Sequence, residues 1–195
     1  MVLGMSLAMF TAIHVVISLI AIATGLVVAA GMLAGTRLPG WTAVFLVTTV
    51  LTTVTGFLFP FTQLLPSHIV GAISLVVLPL ALVALYGKGL AGSWRGVYVI
   101  GSIFALYLNV FVLVVQAFLK IPPLNRLAPT GSEPPFAIAQ VVVLALFIWV
   151  GVRAMRRFHP VAARARPMRA GAGHRARRSS GARCGTTRPR RANIG

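Results

Sequence analysis

Two histidines, His14 and His68, are the side chains of this sequence best suited to chemistry within an apolar segment. A neutral imidazole ligates haem iron or exchanges a proton near neutral pH. The same side chain also joins membrane helices through hydrogen bonds, or reaches water at a membrane surface. The pair is therefore a candidate ligand or haem site, with structural bonding as the alternative for each histidine.

The two histidines are predicted to lie at the same depth in a membrane. Counting back from Arg37, about 23 residues at about 1.5 Å each place His14 roughly 34 Å away. Counting back from Lys88, about 20 residues place His68 roughly 30 Å away. Both imidazoles are therefore expected at the boundary opposite these two basic residues.

Other polar residues are expected near the same boundary. Ser102, Asn109 and Gln116 are seven residues apart and follow one face of an apolar segment. Polar side chains at membrane depth usually face the interior of a bundle. The sequence therefore predicts a polar crevice that opens to the outside. Its predicted members are His14, Gln63, His68, Asn109, Gln116 and Gln140.

One alternative function is electron transfer through a single haem b held between His14 and His68. Iron in such a site needs two neutral imidazoles, each oriented by a partner on its other nitrogen. Gly71, one turn after His68, would leave room for a flat porphyrin. Ser18, one turn after His14, is a candidate partner for that ring.

A second alternative is a transporter or channel-like path for a small neutral solute. It would follow the stripe from Ser102 to Gln116, beside a second segment rich in threonine. Close helix packing is the competing explanation for those small residues, as it is for Gly25 and Ala29 in the first segment. The threonines of the second segment are Thr48, Thr49, Thr52, Thr53 and Thr55.

Missing motifs disfavour several enzyme and pump classes. No carboxylate lies inside an apolar segment, and the chain has no GxSxG, HExxH or phosphate-binding loop. The single cysteine, Cys184, has no partner for a disulfide. We therefore predict a protein without enzymatic activity, although an enzyme that uses only neutral groups and two histidines stays open.

Five apolar runs must position these groups. Glu133 is the only acidic residue, and every charge before position 153 lies between the runs or, for Arg95, at the very start of one. About 20 apolar residues cross a hydrocarbon core about 30 Å thick. Runs that are apolar on every side favour helices over barrel strands, so residues 1–158 are predicted to form an all-α polytopic transmembrane bundle. The predicted spans are about 13–34, 41–59, 67–86, 94–119 and 136–152.

The basic residues predict how the bundle is oriented. Cytoplasmic loops are enriched in Lys and Arg, and five spans place the two chain ends on opposite faces. With the C-terminal end inside, Arg37, Lys88 and Arg95 fall inside, and the uncharged turn 60–66 falls outside. Two cations of the 120–135 loop are exceptions, partly offset by the one acidic residue. We therefore predict an N-out, C-in orientation.

Local signals refine the ends of the segments. Ser67 and Ser93 each precede a segment, and their hydroxyls are predicted to cap it. Pro79 lies within the third span and predicts a kink. The proline-rich loop 120–135 is predicted to be stiff, either as a lid over the outer face or as a spacer.

Residues 159–195 differ sharply from the rest of the chain. They are rich in arginine, alanine and glycine, without acid or lysine, and are predicted to be disordered. Arg153, Arg156 and Arg157 just before them are expected to contact anionic lipid headgroups. The tail is also predicted to contact anionic lipid headgroups, and the alternative is that it is the product of a shifted reading frame. A nucleic-acid arm is disfavoured because no aromatic residue follows Phe158.

Several stretches resemble a group of small bacterial multi-pass membrane proteins known only as hypothetical proteins. The likeness covers roughly residues 1–158 and implies a bacterial inner membrane, without a known activity, cofactor or partner. A fainter similarity to b-type cytochrome bundles rests on His14 and on His68 with Gly71. The stretches that carry the first resemblance are Thr52 to Pro60, Leu65 to Gly71, Leu106 to Val110 and Ser132 to Phe136.

Overall fold

The fold is built from five long apolar helices. A computed structural model describes residues 4–59 and 66–159, without the side chains of Pro66, Ser67 and His68. Within those ranges the regular structure is entirely helical. The helices are α1 (Leu7–Leu33), α2 (Pro39–Phe57), α3 (Pro66–Leu82), α4 (Trp94–Lys120), α5 (Pro122–Leu127) and α6 (Pro134–Arg157). All but α5 are long and apolar enough to cross a membrane, which confirms the predicted number of spans.

The ends of the first and last spans differ from the prediction because capping groups lie further out. Helix α1 begins at Leu7, where the amide of Met9 donates to the Ser6 hydroxyl at 3.3 Å. Helix α6 begins at Pro134, a residue suited to a first turn because its nitrogen has no hydrogen to leave unpaired. The same tolerance allows the short helix α5 to begin at Pro122, within the loop that was predicted to be stiff.

The predicted cap at Ser93 was wrong. The Ser93 hydroxyl makes no capping bond, and its backbone is helical, with φ −65° and ψ −21°. A capping side chain needs an extended backbone at that position to turn back on the first amides. The Ser93 carbonyl instead accepts from the amides of Gly96 and Val97, at 2.9 and 3.2 Å. The side chain of Ser67, the other predicted cap, lies outside the described residues.

Helix α3 changes its geometry after Pro79. Pro79 lies inside the helix, as predicted, and has no amide to donate to the carbonyl one turn earlier. Four residues later the chain enters a π-helical turn, Val83–Gly87. The amide of Lys88 closes that turn on the carbonyl of Val83 at 2.9 Å. This span, for which a kink was predicted at Pro79, thus ends in a π-helical turn.

Helix α4 is the centre of the bundle. It packs against α1, α3 and α6, while α2 packs between α1 and α3. Its buried side chains point in several directions, with Tyr98, Val99 and Leu106 each 2% exposed or less. On the other helices, large apolar side chains cover the outer surface, for example Val76, Val141 and Ile148. An apolar interior and an apolar exterior are the expected arrangement for a bundle surrounded by lipid.

Close contact between helices depends on small residues. A Cβ atom added to Gly25 of α1 would lie 2.6 Å from Cδ1 of Leu106 and 2.8 Å from Cε2 of Phe45. Neither distance leaves room for a side chain. Gly25 therefore allows α1 to approach both α4 and α2, which is the packing role predicted for it.

One arginine ties the start of α4 to the end of α6. Nη1 of Arg95 donates to the carbonyls of Met155 and Phe158, at 2.9 and 2.7 Å. The last carbonyls of a helix have no partner within that helix, and the guanidinium supplies one. The Phe158 side chain is buried beside Tyr98, with ring centroids 5.9 Å apart. The end of α6 is thus fixed by both a charged donor and an apolar anchor.

Replacing Arg95 with Gln should lower the free energy of unfolding by about 2 kcal/mol, the usual value of hydrogen bonds to a charged group. Thermal or SDS-induced unfolding of the purified protein, followed by circular dichroism, measures this loss. Arg156→Gln is the matched control, since Arg156 lies exposed at the same helix end without such a bond. Equal stability of the two variants would show that the Arg95 bonds contribute nothing.

Glu133 organises the turn that leads into α6. Its Oε1 accepts from the amide and hydroxyl of Thr130, at 3.0 and 2.9 Å. Its Oε2 accepts from the amide of Ser132 at 3.1 Å. The Thr130 amide is the main cause that holds the pKa of the Glu133 carboxyl below its ordinary value. The carboxylate thus gives the proline-rich loop a local structure of its own.

This turn should loosen in acid. Because the pKa is lowered by folding, the stabilisation is complete above the ordinary carboxyl pKa and disappears as the pH falls through the lowered value. The Thr130 amide resonance, followed by NMR in detergent micelles, should shift at a pH below the ordinary titration range of Glu. Glu133→Gln should abolish the shift. A Thr130 amide resonance that does not shift with pH in the unmutated protein would contradict its hydrogen bond to the Glu133 carboxylate.

Candidate functional site

His14 lies at the contact between α1 and α2. Its Nδ1 is 2.7 Å from Oγ1 of Thr55, and the ring is half-buried. The Thr55 hydroxyl donates to the carbonyl of Leu51 at 2.6 Å. A hydroxyl has a single proton, so Nδ1 is assigned as the donor to Thr55. This tautomer leaves Nε2 of His14 as a bare acceptor.

Aromatic rings surround the His14 imidazole. Phe59 meets it edge to face, with centroids 5.3 Å apart and an angle of 85°. Phe10 packs against Phe59 in turn, at 5.0 Å. On α2, Gly56 lies beside the ring, and a Cβ there would be 3.7 Å from Cε1 of His14. Among the described residues Nε2 has no hydrogen-bond partner, so the ring is oriented while one nitrogen stays available.

The predicted partner of His14 was wrong. The Ser18 hydroxyl donates to the backbone carbonyl of His14 at 2.8 Å and lies 3.4 Å from Oγ1 of Thr52. It does not reach the ring. The hydroxyl that orients the imidazole belongs to Thr55 of the facing helix. We call His14, Ser18, Thr52 and Thr55 the His14 seam.

The polar stripe on α4 leads from the bundle interior to the surface. Ser102 is 2% exposed. Asn109 is half-buried, and its Nδ2 donates to Oγ1 of Thr49 on α2 at 3.4 Å. Gln116 lies exposed near the end of the helix. Ser102 and Asn109 thus lie where helices pack together, as expected of polar residues that join membrane helices.

Gln140 joins α6 to α4 and leaves one atom without a partner. Its Nε2 donates to the carbonyl of Phe111 at 3.2 Å. Its Oε1 is buried and, among the described residues, has no hydrogen-bond partner. A buried acceptor without a partner costs about 1–3 kcal/mol. This oxygen is therefore a place where a water molecule or a ligand donor would be stabilising.

The structure brings the predicted crevice residues to separate contacts. His14 bonds to Thr55, Asn109 to Thr49, and Gln140 to the backbone of α4. Within the described ranges no hydrogen bond joins one of these three residues to another. Gln63 and the side chain of His68 lie outside the described residues.

The surroundings fit a haem only in part. His14, with Nδ1 bonded and Nε2 available, has the orientation of an axial ligand. The space over Gly71, however, is filled: a Cβ there would lie 3.0 Å from Cε2 and from Cζ of Phe57. The room predicted for a porphyrin at Gly71 is therefore occupied by an aromatic side chain. In the described part of the chain, no group of three His, Cys, Asp or Glu side chains could hold a metal ion.

The basic residues at the end of α6 have different surroundings. Arg153 lies over the ring of Trp149, with 5.7 Å between its Cζ and the ring centroid. Nη1 of Arg157 donates to the carbonyl of Leu33 at the end of α1, at 3.4 Å. Arg156 is exposed. Arg153 and Arg156 thus keep guanidinium groups at the surface, whereas Arg157 also bonds two helix ends together.

Sequence reasoning missed Thr55 as a partner of His14. It attributed the threonines of α2 to close packing, because small residues let helix backbones approach. The hydroxyls of Thr48 and Thr53 bond to the backbone of their own helix, at 2.7 and 2.9 Å. Depth in the membrane could have indicated this partner. Consecutive helices run in opposite directions, so Thr55 near the end of α2 lies at the level of His14 near the beginning of α1.

No known protein family, curated protein or solved structure matches this chain. The class of the protein therefore rests on its own features. Five helices of sufficient length and apolarity, with apolar outer faces, are compatible with an integral membrane protein.

Coupling between His14 and Thr55 can be measured with a double-mutant cycle. The variants are His14→Phe, Thr55→Val and both together, with Thr48→Val as the control for losing a hydroxyl that bonds only to its own helix. Hydrogen bonds between membrane helices average about 0.6 kcal/mol and reach about 1.7, and this short bond should lie in the upper part of that range. SDS-induced unfolding gives the coupling energy, and a value near zero would contradict the bond.

Proposed function

We propose that this chain is a multi-pass integral protein of a bacterial cytoplasmic membrane that presents an outward-facing polar crevice and performs no catalysis of its own. The observation that carries the proposal is the orientation of His14, whose Nδ1 is fixed by Thr55 while Nε2 is left available. A ring held in this way can accept a hydrogen bond from a bound molecule. The resemblance to bacterial multi-pass proteins supports the choice of membrane.

The distribution of charge supports the N-out, C-in orientation. Arg95 bonds to the end of α6 and Arg157 to the end of α1, so these basic residues lie at one end of the bundle. His14 lies near the opposite end of α1. Since positive residues favour the cytoplasmic side, the proposed orientation has His14 toward the outside.

Reporter fusions test the orientation. Alkaline phosphatase folds into an active enzyme only outside the cytoplasm, so a fusion after Phe61 should be active and one after Gly89 inactive. A cytoplasmic reporter such as green fluorescent protein should give the reverse pattern. An inactive phosphatase after Phe61, together with an active one after Gly89, would contradict the proposed orientation.

Unsatisfied polar groups support the crevice. Nε2 of His14 and Oε1 of Gln140 have no partner among the described residues, and Gln116 exposes its amide. Polar groups within an apolar surrounding are costly and are kept where they pair with each other or with a ligand. The proposal assigns Nε2 of His14 to a hydrogen-bond donor of a small molecule, and Oε1 of Gln140, at its separate contact between α6 and α4, to a water or ligand donor.

Haem b is the second candidate, favoured by the axial-ligand orientation of His14 and opposed by the Phe57 ring over Gly71. Protein purified in detergent from haem-sufficient cells should be colourless if the crevice takes a small organic molecule. A Soret band that disappears in both His14→Ala and His68→Ala would replace the proposal with electron transfer. The variant Thr55→Val should then shift that band, since it frees Nδ1.

A path for small solutes along α4 has less support. Ser102 is buried, and Asn109 is bonded to Thr49 in the middle of the bundle. Such a path would require that bond to open. Asn109→Leu should therefore leave solute flux into proteoliposomes unchanged, while a loss of flux in a folded variant would favour transport.

A further inference from the structure

A groove between α3 and α4 is a surface feature separate from the His14 seam. It has a volume of about 430 Å³ and is open to the surroundings. Its walls are almost wholly apolar, and its only polar lining side chain is Ser93, at one end. The lining side chains are Val77 and Leu80 of α3 with Val97, Ile100 and Phe104 of α4.

Two glycines of α4, Gly96 and Gly101, line the groove with their backbone. A Cβ at Gly101 would lie 3.3 Å from Cβ of Ala81, so α3 and α4 touch closely at the floor. The walls rise on either side, where Leu80 is 49% exposed and Ile100 is 59% exposed. The result is a channel-shaped depression with a close-packed floor.

The groove has the length of one membrane leaflet. From Ser93 to Phe104, eleven steps along α4 give about 16 Å of rise. Half of a hydrocarbon core about 30 Å thick is about 15 Å. An acyl chain that entered at Ser93 would therefore end near the middle of the bilayer.

The mouth of the groove carries positive charge. Nζ of Lys88 lies over the ring of Trp94, 5.6 Å from the centroid, and Trp94 follows the lining residue Ser93. The Ser93 hydroxyl makes no capping bond and is exposed, so it is free to donate. The first amides of α4 add the partial positive charge of a helix N-terminus. A cation and a hydroxyl above an apolar groove complement an anionic headgroup above an acyl chain.

We propose that this groove binds one acyl chain of an anionic glycerophospholipid, with its phosphate at Lys88 and Ser93. The site is separate from the crevice at His14. Its assignment to the cytoplasmic leaflet, where anionic lipids attract basic residues, rests on the proposed orientation. Binding itself does not depend on that orientation.

Tryptophan quenching tests the proposal. Trp41→Phe and Trp149→Phe, both at exposed positions, leave Trp94 as the only tryptophan, which is excited selectively at the red edge of its absorption. The protein is placed in phosphatidylcholine vesicles that contain a minor fraction of phosphatidylglycerol with acyl chains brominated near the carbonyl end. The same brominated chains on phosphatidylcholine serve as the reference. Symmetric vesicles offer the probe on both faces, so a wrong orientation cannot mask binding.

Brominated phosphatidylglycerol should quench Trp94 as strongly as if its local fraction beside the protein were about five times its fraction in the vesicle. This ratio corresponds to the free energy of one lysine near an anionic lipid surface. In Lys88→Gln the preference should fall to about one, while quenching by the chain persists. Leu80→Phe with Ile100→Phe fills the groove and should reduce quenching by both lipids. Leu75→Phe with Ile148→Phe makes the same two kinds of substitution at exposed positions that do not line the groove, and should change nothing.

Equal quenching by the two brominated lipids would overturn the proposal, as would unchanged quenching in the groove-filled variant. If a second copy of the protein covers the groove instead, quenching should be weak and should increase when the protein is diluted with lipid, because dilution separates the copies. The reporter fusions decide the orientation independently, so the two proposals fail by different results.

Discussion

An apolar surrounding offers polar groups no water, and this constraint explains most of the specific contacts in the structure. A buried polar side chain is costly unless a partner within the protein satisfies it. The imidazole of His14 turns to Thr55, the amide of Asn109 to Thr49, and the guanidinium of Arg95 to the last carbonyls of α6. These bonds are also selective, because each one joins two helices at a single relative depth. They therefore fix how far the helices slide past one another.

Packing around α4 supplies the remaining order. Burial of apolar groups cannot by itself hold helices together in lipid, since the lipid is equally apolar. Contact at short range is needed instead, and glycine provides it where Leu106 enters the space beside Gly25. Glycine has the same effect at Gly101, where α4 approaches Ala81 of α3 at the floor of the surface groove. Small residues thus set the closest contacts between the helices of this bundle.

The spans were predictable because length and apolarity are local properties of the sequence. The helix ends were less predictable: the Ser6 hydroxyl extends α1, and paired prolines begin the short helix α5 in a loop that was predicted only to be stiff. Partners could not be predicted, since helix order is decided by contacts far apart in sequence. Ser18 is one turn from His14 but bonds to its backbone, whereas Thr55 lies 41 residues away and bonds to the ring. Gly71 was likewise expected to face a cofactor, and the Phe57 ring packs on it.

The central claim is that α4 lies inside the bundle while the outer faces meet lipid. Spin labels test it most directly, after Cys184→Ser removes the single native cysteine. Labels at Leu106, which is 1% exposed, should collide rarely with either oxygen or a water-soluble nickel chelate in proteoliposomes. Labels at Val142 and Ile148, which are 60% and 58% exposed, should collide often with oxygen and rarely with the chelate. Free access of the chelate to Val142 and Ile148 would contradict a membrane-spanning α6 and the account built on it.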